Sequence, residues 1–588
     1  MAETILNAGL LALEDFASGI PQYRVVSAPT GSGKSSYAFA LIKAVIDAVD
    51  GASAVFLCET VDQCEDTYRE LVKLLGPHDL AVWTTSHDKR RTLEDVEAED
   101  GFRPSAQFLV DDLDSHRVVV VTHAFYRGPR GSLARLYGGN HRILTIVDER
   151  PKEVSIYDVD QGDVLKARDW AVGQYGYDSR AVEAFKGLHD YLNGAWESEG
   201  NKSFRSLQWS CSSWFLSHQA YGVLIKSSDS IPGQVIGFAQ ALSEGYAFMS
   251  RFERGAKGGR FVGYKMDLPV FPGTVLLDAT SNIDGVSELV SWRIAVSSPQ
   301  VSYENLTITH ITPPLDVVEP GERITEIVRH SERAKAYASW IRETVVRNTS
   351  PGEKVLVVVH KAMLEGNHLP KQDSLGEDAY DLDGRRVALI NWGYGIGSNR
   401  WKTATSVFLF GEFHLPKRIT MGQMLALLDQ PVTEYGLSKL QSPNSVDDDL
   451  LRLQHGHLLR WEKQLAMRGN ARNITPHGTC GEQRLFICSE FKRLFPNVNK
   501  LFPDAVFVVE EPVERTGNGT EALARILLSS ADRKSISNWD IQKEAGVDVG
   551  KHSGRLLQNP LVQEAMKARG WVYMPGGGRG NRSRFERV

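Results

Sequence analysis

Short apolar runs alternate with helix-like segments along the first 150 residues. The runs 54–58, 118–121 and 143–147 are short and mainly apolar, so each predicts a buried strand. Segments 35–49 and 66–75 lie between such runs and predict helices. This alternation is typical of a parallel, doubly wound α/β domain.

A second series of apolar runs, at 354–359, 387–390 and 406–410, predicts another α/β domain further along the chain. Between the two series, the alternation is lost from about 160 to 265, where we expect a helical insertion. Its aromatic residues are more typical of a core than of a base-stacking surface. The predicted domains are therefore 1–298, including the insertion, and 299–515.

The last segment, 521–588, follows a polar linker and has a different pattern. Helix-like stretches are followed by two strand-like runs, 571–573 and 584–588, that flank a glycine-rich turn. This order predicts a winged-helix domain. Eight Lys or Arg and two Glu lie between 551 and 588, a basic balance that favours nucleic acid as the partner. Docking of this tail to a protein is the alternative. The expected nucleic-acid contacts are Arg555, Arg579, Arg582 and Arg584.

The composition is that of a globular protein and does not by itself indicate a binding partner. The 588 residues are 42% hydrophobic and 24% charged, with a net charge of −6, as in ordinary globular proteins. The five cysteines form no CxxC pair and are interpreted as reduced thiols. We predict no signal peptide or membrane span, and hence a cytoplasmic protein, in the host cell if a phage encodes it.

The segment Ala28–Ser35, with the sequence APTGSGKS, is the strongest chemical signal in the chain. It lies between an apolar run and a helix-like segment, the context that a phosphate-binding P-loop requires. Glycines let backbone N–H groups surround phosphates, and the helix N-terminus adds positive potential. We expect Lys34 to contact the β and γ phosphates of ATP and Ser35 to bind Mg²⁺. The ATP-binding residues are predicted to be Pro29, Thr30, Gly31, Ser32, Gly33, Lys34 and Ser35.

An acidic pair, Asp148 and Glu149, ends the apolar run 143–147. An acidic pair at the end of a strand downstream of a P-loop is expected to complete a nucleoside triphosphate site. Asp148 is predicted to hold Mg²⁺ and Glu149 to orient the attacking water.

These motifs, in this order, resemble those of the superfamily 2 helicases and translocases, which have two RecA-like lobes. The resemblance covers about 30–475. The P-loop corresponds to motif I, Asp148-Glu149 to a DExx motif II, and Asp278-Ala279-Thr280 to motif III. The segment 391–401, NWGYGIGSNRW, looks like motif V of phage and plasmid members, and 464–472, QLAMRGNAR, is similar to motif VI.

The resemblance implies further site residues. It assigns nucleotide contacts to Gly397 and Gln464, coupling to Asp278, Thr280 and Asn399, and nucleic-acid contacts to Thr122 and His123. Either Arg468 or Arg472 would be the arginine finger, because Gln464, Arg468 and Arg472 would share one face of a continuous helix. Both arginines could instead form a solvated basic face.

The predicted function is an ATP- and Mg²⁺-dependent helicase or translocase, with single-stranded or forked DNA as the favoured partner. A phage-type DNA-packaging motor is one alternative, because it would share the P-loop and the acidic pair. A DNA-binding regulator switched by ATP is the other, although Glu149 argues against it, since a switch needs no group that orients water.

Overall fold

The computed structural model describes residues 1–587 except 198–203, 211, 217–229, 252–258, 269, 315–316, 320–321, 396–397, 434–435, 438–447, 511–518, 531 and 577–582. Two seven-stranded α/β sheets form the body of the molecule. We call each sheet with its helices a lobe. Within the described ranges, no helix is long and apolar enough to cross a membrane.

The sheet of lobe 1 is entirely parallel, and every predicted strand of the first series is present. Alternate residues of its strands are buried on opposite faces: Phe56 and Val120 pack in one core, and Val55 and Val119 in the other. Burial on both faces explains the uninterrupted apolar runs. In spatial order the strands are Arg293–Val296, Tyr23–Val26, Thr274–Leu277, Leu144–Asp148, Ala54–Cys58, Val118–Thr122 and Leu80–Trp83.

Helices cover the sheet of lobe 1. The first helix, Ala2–Ser18, packs on the helix that follows the P-loop, where the side chain of Leu41 lies against Gly9. The remaining helices of this lobe are Lys34–Ala48, Val61–Leu75, Leu93–Asp100, His123–Arg127 and Ser132–Arg135, with short 3₁₀ turns at Thr85–His87 and Val110–Ser115 and a two-stranded ribbon of Leu136–Tyr137 and Asn140–His141.

The sheet of lobe 2 is parallel except at one edge, where Tyr380–Leu382 pairs antiparallel with its neighbour. Cores lie on both faces. In spatial order its strands are Tyr380–Leu382, Arg385–Asn391, Lys354–Val359, Ser406–Phe410, Gln483–Cys488, Leu306–His310 and Val506–Val509. Its helices are Ile324–Ile327, Ser331–Asn348, Lys361–Glu365, Lys417–Leu427, Asp448–Ala466 and Phe491–Leu501, with a 3₁₀ turn at Asn470–Arg472.

The insertion is not purely helical, which corrects the prediction for 160–265. Its helices, Gln161–Tyr175, Arg180–Glu197, Ser213–Leu216 and Ile231–Ser243, pack on a four-stranded antiparallel sheet. The strands pair residues up to about a hundred positions apart, so the local pattern carried little sign of them. In spatial order they are Val154–Val159, Arg260–Met266, Ala247–Ser250 and Phe204–Ser206.

The insertion also contacts lobe 2. Its sheet shares an apolar core with the helix Lys417–Leu427, and Arg418 Nη2 of that helix donates to Asp158 Oδ2 at 2.9 Å. The insertion, which is part of the lobe 1 segment of the chain, therefore also packs on lobe 2.

The tail contains helices and a small antiparallel sheet. The helices are Gly519–Ser529, Asn538–Ala545, Val549–Leu557 and Pro560–Arg569, and the strands, in spatial order, are Ser535–Ser537, Arg584–Arg587 and Trp571–Met574. The tail docks on lobe 2, because Arg525 Nη1 donates to Thr312 Oγ1 at 2.7 Å and its guanidinium lies 4.7 Å from the ring centroid of Phe491.

Candidate active site between the lobes

The P-loop connects the strand Tyr23–Val26 to the helix Lys34–Ala48. Gly31 and Gly33 have left-handed backbones, with φ of 85° and 80°, which glycine adopts at little cost. Lys34 Nζ donates to the carbonyl oxygens of Ala28 at 2.7 Å and Pro29 at 3.1 Å. Its ammonium group is therefore held over the loop where phosphates would bind.

Ser35 and Asp148 lie side by side at the ends of adjoining elements, and Ser35 Oγ donates to Asp148 Oδ2 at 3.1 Å. Burial, then the neighbouring Glu149 carboxylate, raises the pKa of Asp148 to about 6, against the opposing effects of Lys34 and Ser35. A hydroxyl and a carboxylate at this separation are oxygen ligands of the type that Mg²⁺ prefers, so the residues fit the ion.

Glu149 has an unusual backbone, with a φ of 66° in the left-handed region. The conformation is held in part by its N–H, which donates to the carbonyl of Leu277 on the neighbouring strand at 3.0 Å. A left-handed non-glycine residue costs energy and is often found at a functional site. Burial lowers the pKa of Lys34, whereas Glu149, Asp148 and Asp278 raise it, so these three carboxylates face the lysine.

The predicted coupling residues of lobe 1 are bonded to each other. Asp278 Oδ1 accepts hydrogen bonds from Thr280 N at 2.8 Å and Thr280 Oγ1 at 2.7 Å. Asp278 is fully buried, and its other oxygen, Oδ2, has no hydrogen-bond partner among the described residues. The carboxylate therefore has a free acceptor in the interior.

Lobe 2 brings two arginines to this site. Arg468 Nη1 and Arg472 Nη1 donate to the same acceptor, the carbonyl of Ser398, at 3.3 Å and 2.7 Å. Burial lowers the pKa of both guanidinium groups, to about 10 for Arg472, and Glu149 opposes the shift in each. The two arginines therefore lie in the field of the proposed catalytic carboxylate.

The predicted continuous helix through Gln464, Arg468 and Arg472 is wrong. The helix ends at Ala466, and Arg472 lies in the 3₁₀ turn Asn470–Arg472. This turn places the carbonyl of Arg472 against Gly31, where a Cβ would collide with it. Only glycine at position 31 permits lobe 2 to approach the P-loop so closely.

For the other residues predicted in motifs V and VI, the structure shows no hydrogen bond with the P-loop within the described ranges. Gln464 is buried, and its Oε1 has no partner within the described part of the chain. Asn399 is exposed. Gly397 lies outside the described residues.

The predicted nucleic-acid contacts lie on two parts of the molecule, lobe 1 and the tail. Thr122 Oγ1 accepts from Phe125 N at 3.2 Å and caps a helix, while His123 Nδ1 lies 3.0 Å from Glu59 Oε2. On the tail, Arg555 is exposed on the helix Val549–Leu557, and Arg584 Nε donates to Glu586 at 2.5 Å. Arg579 and Arg582 lie outside the described residues.

Sequence reasoning missed a buried charge network beside the acidic pair. Asp284 accepts from Arg293 Nη1 at 3.0 Å and pairs with Arg150 Nη1 at 3.1 Å. Glu153 bonds to Arg293 and lies 3.4 Å from Arg150. Arg150 follows the acidic pair directly in the sequence, and this position could have indicated that it belongs to the site.

Two cations of lobe 2 were also missed. Arg460 and Lys463 lie four residues and one residue before Gln464 on the helix Asp448–Ala466. Burial, then Lys34, lowers the pKa of Lys463 to about 8, and Asp278 opposes the shift. Their spacing of three residues on a helix, just ahead of the motif, was the signal that could have identified them.

Residues 14–150 match the family model described as "Type III restriction enzyme, res subunit". The match spans the P-loop and ends just after the acidic pair. The similarity to this family is therefore found in the part of lobe 1 that carries the phosphate-binding loop and the acidic pair.

Solved structures are also similar to this chain. One, titled "XPD_Helicase", has a TM-score of 0.47 at 13% identity and covers 86% of this chain and 99% of its own. S. cerevisiae Dbp5, bound to Nup159, Gle1, IP6 and ADP, has a TM-score of 0.27 at 12% identity, covering 86% and 91%. T4 UvsW has a TM-score of 0.20 at 11% identity, covering 84% and 75%. No curated protein matches the chain.

Proposed function

We propose that this protein is an ATP hydrolase of superfamily 2, a DNA helicase or translocase in which ATP hydrolysis opens and closes the cleft between two RecA-like lobes. Closure and opening would move the lobes relative to each other along a strand. The observation that supports this most is the meeting of the lobes at the nucleotide site. The carbonyl of Arg472 lies against Gly31 of the P-loop, and the guanidinium groups of lobe 2 lie in the field of Glu149.

The proposed roles follow from these positions. The backbone N–H groups of 29–35 and the ammonium group of Lys34 would bind the ATP phosphates. Ser35 and Asp148 would hold Mg²⁺, which when bound neutralises charge on the β and γ phosphates. Glu149 would orient the attacking water, and its fixed backbone would hold the carboxylate in place.

Arg472 is the better candidate for the arginine finger. Arg468 is only 1% exposed, whereas Arg472 is half-buried on the turn that contacts the P-loop. A finger must reach the γ phosphate from the opposite lobe, so the residue on the contacting turn is better placed. Gln464 would contact the nucleotide beside the finger. Asp278, Thr280 and Asn399 would couple the binding and hydrolysis of ATP to the grip of the lobes on the nucleic-acid strand.

The domain boundaries stay as proposed from the sequence: 1–298 with its insertion, 299–515, and 521–588. Strand membership supports the first two, because Arg293–Val296 belongs to the first sheet and Leu306–His310 to the second. Helices followed by an antiparallel sheet support a winged helix in the tail. We propose that Arg555, Arg579, Arg582 and Arg584 contact DNA there, and that Thr122 and His123 contact it on lobe 1.

The experiment is ATP hydrolysis measured without nucleic acid and with single-stranded DNA, forked DNA and RNA in turn. Stimulation by single-stranded or forked DNA, stronger than by RNA, is expected. Stronger stimulation by RNA would overturn the choice of DNA. ATP binding without turnover under all conditions would favour an ATP-switched regulator, and stimulation by duplex DNA alone would favour a packaging motor.

A further inference from the structure

The helix Asp448–Ala466, which we call the finger helix, lies directly on the loop that follows Asp278. Backbones approach each other at two glycines: a Cβ on Gly285 would collide with the carbonyl of Arg452, and one on Gly456 with the backbone of Asp284. Because both contacts join backbones of opposite lobes, the position of the finger helix against lobe 1 is set closely.

This contact brings two cations of the finger helix toward lobe 1. Arg460 and Lys463 are three residues apart and therefore lie on one side of the helix. Lys463 is only 6% exposed, and Arg460 Nε is buried without a hydrogen-bond partner among the described residues. A buried cation is costly unless an anion lies close to it, so both groups require one.

Asp278 is the carboxylate that the two cations have in common. Its Oδ2 is buried and has no partner in the described part of the chain. Its charge raises the pKa of both Arg460 and Lys463, against burial. Asp284 and Glu149 also raise the pKa of Arg460, but Asp284 already pairs with Arg150 and Arg293. Of these three acids, Asp278 is the one that raises the pKa of Lys463 as well.

We infer that Arg460 and Lys463 are positioning residues of lobe 2 that pair with Asp278 across the cleft when the lobes close on ATP. The inference rests on the proposed function and names the lobe 2 partner of the coupling motif. Lys34 lies beside the same carboxylate and now donates to carbonyls of the P-loop. When Lys34 contacts phosphates, the Asp278 charge is balanced by the two lobe 2 cations, so nucleotide binding and closure become coupled.

The test is a double-mutant cycle between Asp278→Asn and Arg460→Gln in the full-length protein. Asn retains an oxygen acceptor for Thr280 and removes only the charge. Each single variant is expected to lower the nucleic-acid-stimulated kcat by on the order of tenfold, with KM for ATP unchanged. The double variant should lose no more than the worse single, because each substitution breaks the same contact. Arg460→Lys should retain more activity than Arg460→Gln, and Lys463→Met should show the same split between kcat and KM.

Arg452→Gln is the matched control, since Arg452 lies on the same helix but pairs with Asp449 at the surface. Losses that add independently in the cycle, or an Arg460→Gln variant no worse than this control, would overturn the inference. The same cycle is read by thermal unfolding with a non-hydrolysable ATP analogue and Mg²⁺ present, because the pairing forms on nucleotide binding and this measurement needs no turnover. If the wild-type protein fails to hydrolyse ATP, the proposed function is wrong. The unfolding cycle then decides the pairing: non-additive shifts support it and additive shifts exclude it.

Discussion

Replacing Arg472 with alanine should separate catalysis from stability. In the folded protein its guanidinium donates one hydrogen bond within the described ranges, to Ser398 O at 2.7 Å, and the residue is half-buried. Loss of one such bond costs about 1 kcal/mol of folding free energy, which lowers the Tm of a lobe of this size by only about 2–4 °C. A lost arginine finger costs about 10³-fold in kcat, or about 4 kcal/mol in the activation barrier.

The assay is steady-state ATP hydrolysis at saturating ATP and nucleic acid, with Tm measured on the same samples. Arg472→Ala should lower kcat strongly while lowering Tm by only a few degrees. Arg468→Ala should lower Tm more and kcat less. Arg468 is only 1% exposed, so its truncation leaves a buried cavity that costs about 3 kcal/mol of folding free energy. An Arg472→Ala enzyme within threefold of wild type, or a kcat loss larger for Arg468→Ala at temperatures where both are folded, would refute the assignment.

Three further predictions concern the phosphate site, the metal site and the tail. Lys34→Ala and Glu149→Gln should both abolish hydrolysis, but only the first should weaken binding of a fluorescent ATP analogue; equal affinities would contradict these roles. The pKa of Asp148 is raised to about 6, so its contribution to metal-free stability is present below pH 4 and lost as pH rises through 6. Asp148→Asn should therefore raise Tm in EDTA at pH 7.5 and much less at pH 4.5, whereas an equal gain at both would argue against the shift. Alanine at Arg579, Arg582 and Arg584 together should lower the log-log salt slope of duplex DNA binding by up to about 3, and an unchanged slope would indicate a protein-docking tail.

Local patterns were sufficient for the parallel strands and the P-loop. The runs at 54–58 and 118–121 are apolar throughout because both faces of the sheet are covered, and the P-loop is a contiguous segment whose residues act together. The acidic pair Asp148-Glu149 was equally accessible, since it ends an apolar run.

The antiparallel sheet of the insertion was not predictable in the same way. Its strands pair distant segments, such as Val159 with Phe261, and they carry no contiguous motif. The helix end at Ala466 was also missed, because the helical spacing of Gln464, Arg468 and Arg472 continues past the point where packing on Gln483 and Gly31 turns the chain.

The sequence by itself therefore determined the order of motifs, the two sheets and the identity of the phosphate loop, because each depends on neighbours along the chain. Only the tertiary structure decided which groups of lobe 2 meet that loop. Arg472, Arg460 and Lys463 lie more than four hundred residues from Lys34 in the sequence. The docking of one lobe on the other places Arg472 against Gly31 and brings Arg460 and Lys463 into the field of Asp278. The interface between the lobes decides which charged groups become neighbours, and no local sequence pattern encodes that interface.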